Sequence, residues 1–124
     1  MNTTHPVDTL PEVVAAYITA VNAFDVDAIM ATFSDDALVN DVHREFAGPA
    51  SIRAWARREL VDDKVTMDVT EVVPHRSLTI VRARYDGEYD KTNLPDELIL
   101  TSYLTVVDGK ISSLIILHNA PAPY

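Results

Sequence analysis

The sequence contains no cysteine. Disulfides, thiolate nucleophiles and cysteine-held zinc or iron–sulfur sites are thereby excluded. Glycine is scarce: only Gly48, Gly87 and Gly109 occur, so there is no glycine-rich phosphate loop, and neither a G-x-S-x-G nor a Walker sequence is present. No long apolar run exists; the longest, Leu114 to Leu117, is far too short to span a bilayer. Met1 to Leu10 is polar, with no basic flank or apolar stretch, so it does not read as a signal peptide. Positive charge is also in short supply, with Lys+Arg 10 against Asp+Glu 19 and a net charge of −9. Such a surface repels polyanions, so neither nucleic acid nor an anionic membrane is an expected partner. Taken with the missing cysteines, these traits suit a cytoplasmic protein.

What is present fits one domain. The chain has 124 residues, and 48% of them are hydrophobic, enough to build a core without staples. The domain is expected to span 10–118, with 1–9 and 119–124 as flexible termini. Thr9 and Glu12 have capping-box spacing, with Pro11 tolerated in the first turn. Leu10, Val13, Val14, Tyr17, Ile18, Val21 and Phe24 then recur at helical period. Asp25 is placed to cap a second helix carrying Ile29, Met30 and Phe33, ended by Ser34-Asp35-Asp36. Ala37 to His43 reads as a strand, with Glu45 to Ala47 pairing back on it. Gly48-Pro49 opens a third helix whose apolar stripe is Ile52, Trp55, Ala56 and Leu60, while Arg53, Arg57, Arg58 and Glu59 point elsewhere.

From Val65 the period becomes two. Val65, Met67, Val69 and Val73 form one face, Leu78 to Tyr85 is a strand, and Gly87 to Asp96 is an acidic loop that could cover a site. Leu98 to Val107 and Lys110 to His118 are strands joined by Asp108-Gly109, a strong hairpin signal. Helices first and strands afterwards predict an α+β fold. It should be a curved antiparallel sheet with three helices on its concave face, a cone-shaped, cystatin-like roll around a mostly apolar pocket.

The stretch VAAYITAVNAFDVDAIMATFSDDALVND around Tyr17 to Asp41, and GPASIRAW at Gly48 to Trp55, resemble the nuclear-transport-factor-two-like superfamily. That group includes ketosteroid isomerases and SnoaL-like polyketide cyclases, and the resemblance runs from about Leu10 to His118. It implies a homodimer formed through the sheet and a pocket for a small apolar carbonyl, polyketide-like or steroid-like molecule. Members resembling ketosteroid isomerase use a strand carboxylate as base, with a helix Tyr and a protonated Asp holding an enolate oxygen. Asp41 falls at the position of the base and Tyr17 at that of the Tyr. The second donor position reads close to Ser102 or Tyr103, and His118 falls near an aromatic pocket residue.

The residues themselves allow two readings each. Facing an apolar cavity, the charged form of Asp41 would be disfavoured by desolvation, which suits a general base; alternatively it holds a turn near His43 and Arg44. Strand parity puts Asp41 and His43 on one face with Val39. Tyr17 either donates to a ligand oxygen or is a core residue. His118 is a candidate acid or base, or a structural residue ending the face of Leu114 and Ile116. Trp55, Phe33, Tyr103, Met67 and His43 are the candidate ligand-contacting residues; Tyr103, alternating with Thr101 and Thr105, could instead lie on a dimer surface. His5, His43, His75 and His118 are scattered without metal-ligand spacing, so neither metal nor cofactor is expected. The function expected is cofactor-free acid–base catalysis of the isomerase, cyclase or dehydratase type. The alternatives are a non-catalytic small-molecule binder and a dimeric structural domain of the same fold.

Overall fold

The computed structural model describes residues 10–92 and 94–118. Helix α1 (Glu12–Asn22) buries Val14, Tyr17, Ile18 and Val21 on one stripe. It has no side-chain cap at Pro11, and the expected cap residue Thr9 lies outside the described residues. Helix α2 (Val26–Met30) starts where expected, the Asp25 carboxylate accepting from the Ala28 amide at 3.1 Å. It stops sooner than the sequence suggested. Phe33 and the acids Asp35 and Asp36 belong to strand β1 (Phe33–Asp41). Apolar residues at Phe33, Ala37 and Val39 are buried there, and this alternation wins over the helical spacing of Ile29 and Phe33.

Strand β2 (Arg44–Ala47) returns antiparallel to β1 through a two-residue turn. Val42 and His43 both take positive φ, 49° and 72°, as a type I′ hairpin turn requires. The Asn40 side chain accepts from the His43 amide and the Ile116 carbonyl from the Val42 amide, both at 2.9 Å, which holds the turn in place. Helix α3 (Gly48–Ala56) follows, with Pro49 in its first turn, and runs on into a π-helical turn over Arg57–Val61.

Strands β3 (Thr66–His75), β4 (Leu78–Asp86), β5 (Leu98–Val107) and β6 (Lys110–His118) form the expected antiparallel meander. The sheet is six-stranded in the order β2-β1-β6-β5-β4-β3. It is open and mixed rather than wholly antiparallel, because β1 lies parallel to β6. A bulge between Val69 and Glu71 changes the parity of β3, so Val72 pairs with buried Val81 while Val73 turns outward and is exposed. Asn22 ties α1 to β3 through both its amide atoms, donating to the Met67 carbonyl at 3.1 Å and accepting from the Met67 amide at 2.7 Å.

The helices cover one sheet face. Trp55, Tyr17, Ile29, Ile52, Leu104, Ile111 and Leu114 are the largest fully buried side chains of the core between them. Burial of each large apolar side chain is worth about 1.5–3 kcal/mol, which fixes the helices on the sheet. The opposite face carries Glu71, Arg82, Arg84, Ile80, Tyr103 and Ile115. Among the described residues no helix is long and apolar enough to cross a membrane.

Candidate active site

The inner ends of β1, β4, β5 and β6 do not close against α3. Between them lies a cleft of about 320 Å³ lined by Asp41, Arg44, Trp55, Glu59, Leu60, Asp63, Val65, Tyr85, Tyr89, Leu94, Leu98, Leu100 and Ile116. Asp41 is the last residue of β1 and pairs across to Ile116, so its side chain lies on the inner face. It is 15% exposed, and both its contacts fall on one carboxylate oxygen. Trp55 Nε1 donates to Oδ2 at 3.0 Å, and Arg44 Nη2 donates to the same oxygen at 2.8 Å. Oδ1 takes neither bond. The carboxylate is therefore not isolated among apolar groups, and elements of both sequence readings meet in it: it lines the cleft, and the hairpin turn brings Arg44 directly opposite it.

Arg44 bridges to a second carboxylate, Nη2 lying 2.9 Å from Glu59 Oε1, while Arg58 Nε lies 3.3 Å from Oε2. Desolvation pushes the Glu59 carboxyl up, but the Arg44 hydrogen bond and charge, aided by Arg58, outweigh it and hold the group below its ordinary value. The Glu59 hydrogen bond in turn raises the Arg44 guanidinium, with Asp41 adding to it. Two carboxylates thus share one cation at the mouth of the cleft. The sequence reading set Glu59 aside with the arginines of α3. The signal was there: Glu59 follows Trp55 by four residues, which puts the two on one helix face.

Tyr17 is almost fully buried and packs edge-on to Phe33, ring centroids 5.8 Å apart. Burial pushes its hydroxyl well above the ordinary value, and Tyr85 and Asp41 add to the rise, so the group stays protonated and can only donate or accept a hydrogen bond. Tyr17 does not line the cleft. Tyr85 does, and its hydroxyl is pushed up to about 12, mainly by burial, with Ser102 opposing and Asp41 reinforcing the shift. The Ser102 hydroxyl lies beside that of Tyr85 and its hydrogen bond opposes the rise, and both oxygens are buried from solvent.

Of the candidate residues, the structure brings Asp41 and Trp55 to the cleft. Phe33 and Met67 are buried core side chains that do not line the cleft. Tyr103 pairs with Ile80 and Ile115 on the outer face, because strand parity sends Ser102, not Tyr103, inward. His43 sits in the β1–β2 turn, exposed, where the chain has left the strand and the parity with Asp41 no longer applies. His118 follows Leu114 and Ile116 in parity and pairs with Leu100, but it ends β6 and is exposed outside the cleft. The loop after β4 forms one wall through Tyr89 and Leu94. A side chain at Gly87 would meet the Asp63 carbonyl at 2.8 Å and the Tyr89 ring at 3.0 Å, so only glycine lets the loop dock there. Among the described residues no group of three or more His, Cys, Asp or Glu is placed to hold a metal.

Residues 14–114 match the family described as the SnoaL-like domain. No curated protein matches the chain. A candidate polyketide cyclase from Sinorhizobium meliloti is 27% identical, with 90% of this chain and 99% of that one covered and a TM-score of 0.81. SalBIII, an epoxide hydrolase/cyclase-like enzyme with a role in pyran ring formation in the polyether salinomycin, is 23% identical over 87% and 88% of the two chains, TM-score 0.75. A protein with a ketosteroid-isomerase-like fold from Catenulispora acidiphila, solved in complex with trimethylamine, is 22% identical over 89% and 87%, TM-score 0.75. The last two speak to the fold, which is that of nuclear-transport-factor-two-like domains.

Proposed function

Because the chain belongs to the SnoaL-like domain family, we propose that its cleft takes a small apolar carbonyl or polyketide-like compound and that Asp41 acts there as a cofactor-free general base. One observation carries this reading. In a cleft walled by Leu60, Val65, Leu98, Leu100 and Ile116, a carboxylate is held by Trp55 and Arg44 through a single oxygen. Its other oxygen takes neither bond and is the one a substrate proton would meet. Proton transfer needs a positioned acceptor within hydrogen-bond reach, and two fixed donors supply the positioning. Arg44 would meet negative charge developing near the cleft mouth, and Glu59 would hold Arg44 in place. Removal of a proton beside a carbonyl is the step common to isomerisation, cyclisation and dehydration, and the similarity to a candidate polyketide cyclase favours that class.

A non-catalytic binder of the same molecules has one observation in its favour: Asp41 already has a cation as partner, as a structural carboxylate would. Thermal shifts of the wild type and Asp41→Asn with substituted phenols, which imitate an enolate, separate the two. A ligand at a hundredfold its dissociation constant stabilises by about 2.7 kcal/mol. Tighter phenol binding by Asp41→Asn supports a charged base facing the ligand. Equal stabilisation of both proteins favours the binder.

The outer sheet face is the surface on which a second copy would dock. Val73 and Ile115 are 43% and 38% exposed there, beside Ile80 and Tyr103. The flanking rows of Glu71, Asp68, Arg82 and Arg84 carry both signs and suit a self-complementary contact. Light scattering of the wild type and of Ile115→Glu tests it, with a dimer expected for the first and a monomer for the second.

A further inference from the structure

A second cavity, of about 170 Å³, adjoins the cleft on the side of the loop after β4. Tyr85, Tyr89, Leu94 and Leu98 line both spaces and so form the partition between them. Tyr85 and Leu98 pair across β4 and β5 and belong to the sheet. Tyr89 and Leu94 are the loop's share. Tyr89 is held from several sides. Its ring lies against Gly87, where a Cβ would meet it at 3.0 Å. Its hydroxyl donates to the Tyr85 carbonyl at 3.4 Å, and Lys91 Nζ stands 5.6 Å from the ring centroid. The Glu88 amide donates to the Asp63 carbonyl at 2.6 Å and ties the loop to the chain beyond the π-helical turn. In the second cavity Arg84 is paired with Glu97 at 2.6 Å and Lys91 with Asp86 at 2.7 Å. Its cations are thus committed, and it offers a ligand room rather than a positive charge.

A well-packed interior fills about 0.74 of its volume, so a cleft of about 320 Å³ takes a body of about 240 Å³. A two- or three-ring ketone is of that order, and a four-ring ketone is larger. The excess would have to pass the partition or stand in water at the mouth. We propose that Tyr89, with Leu94, sets the size of the ligand: the cleft seats a two- or three-ring ketone and not a four-ring one, because these side chains close it off from the second cavity. The inference rests on the reading of the cleft as a ligand site and narrows the class of compound that fits it.

The test compares 1-tetralone, with two rings, and androstenedione, with four, in NMR titrations of the ¹⁵N-labelled protein. Wild type, Tyr89→Ala, Tyr89→Phe and Leu94→Ala are each titrated. Both side chains are partly exposed, and the melting temperature of each variant checks its fold. The wild type should bind 1-tetralone at least as tightly as androstenedione. Tyr89→Ala joins the two spaces and should shift the affinity ratio toward the four-ring ketone by about tenfold, the effect of burying about 55 Å² more apolar surface. Leu94→Ala should shift it in the same direction, and it decides the matter should Tyr89→Ala not fold. Tyr89→Phe keeps the ring and should keep the wild-type ratio. A wild type that prefers androstenedione, or a ratio unchanged in both alanine variants, overturns the partition while leaving the cleft as a ligand site. A shift in Tyr89→Phe as large as in Tyr89→Ala means that the ring is not the barrier and also overturns it. If neither ketone perturbs the resonances of Leu98, Leu100 and Ile116, the reading of the cleft as a ligand site fails, and the size limit with it.

Discussion

Replacing Trp55 by Phe probes the geometry on which the site depends. Trp55 is fully buried, stacks in a tilted arrangement 6.2 Å from Phe46, and gives its indole N–H to Asp41. Phe keeps an aromatic ring in place and removes the donor. Loss of a hydrogen bond to a charged group costs about 1.5–3 kcal/mol. The smaller ring leaves roughly 40 Å³ of space, worth about 1 kcal/mol at the measured cost of core cavities. Trp55→Phe should therefore destabilise by about 2.5–4 kcal/mol, read from the urea midpoint at unchanged slope. Asp41→Asn keeps the shape and removes the charge, so in that background the same replacement should cost about 1 kcal/mol less. A coupling of about 0.3 kcal/mol or less would mean that the indole does not hold the carboxylate in solution. The positioning argument for Asp41 would then fall.

Three further outcomes are expected. Glu59 is held below its ordinary value of 4.5, so its contribution to stability is present above that pH and is lost as pH falls through the lowered value. Urea midpoints between pH 6 and 3 should show an acid loss that Glu59→Gln reduces, and an identical loss in the variant would contradict the Arg44 bridge. Tyr85, pushed up to about 12, gives stability that is full below pH 10 and lost as pH rises through 12; Tyr85→Phe should blunt alkaline unfolding followed by circular dichroism over that window. Val42 is a β-branched residue at φ 49°, a conformation that Asn tolerates better, so Val42→Asn should stabilise by about 1 kcal/mol, read as a higher urea midpoint at unchanged slope; a lower midpoint would refute the strain.

The elements that could be read from the sequence are those with long, unmixed periods. α1, α3 and the β3–β6 meander follow from apolar spacing, while Asp25 marks the start of α2 and Asp108-Gly109 the β5–β6 turn because cap and turn chemistry is local. Phe33 was misassigned because a five-residue helix followed closely by a strand offers too few residues for either period to dominate. Val73 was misplaced by a bulge, which leaves no mark in an alternation count. The parallel pairing of β1 with β6 joins residues as far apart as Phe33 and Ile111, about which local spacing is silent. In the site, Asp41 and Trp55 were legible as the end of a strand and the centre of a helical stripe. Arg44 was noted only as a neighbour of a turn, Glu59 only as a surface charge, and Tyr85 only as the end of a strand. Their roles arise where three elements meet at one cleft, and no single element carries that information.

The central claim, that Asp41 is a base facing a carbonyl ligand, is tested most directly by α-proton exchange. Small cyclic ketones such as 1-indanone are incubated in D₂O with the wild type, with Asp41→Asn and with acetate at equal carboxylate concentration, and loss of the α-proton signals is followed by NMR. A positioned general base contributes about 10²–10⁴-fold. Exchange well above the acetate control, falling about a hundredfold or more in Asp41→Asn, is the expected result. Exchange no faster than acetate, or equally fast in wild type and Asp41→Asn, would contradict it.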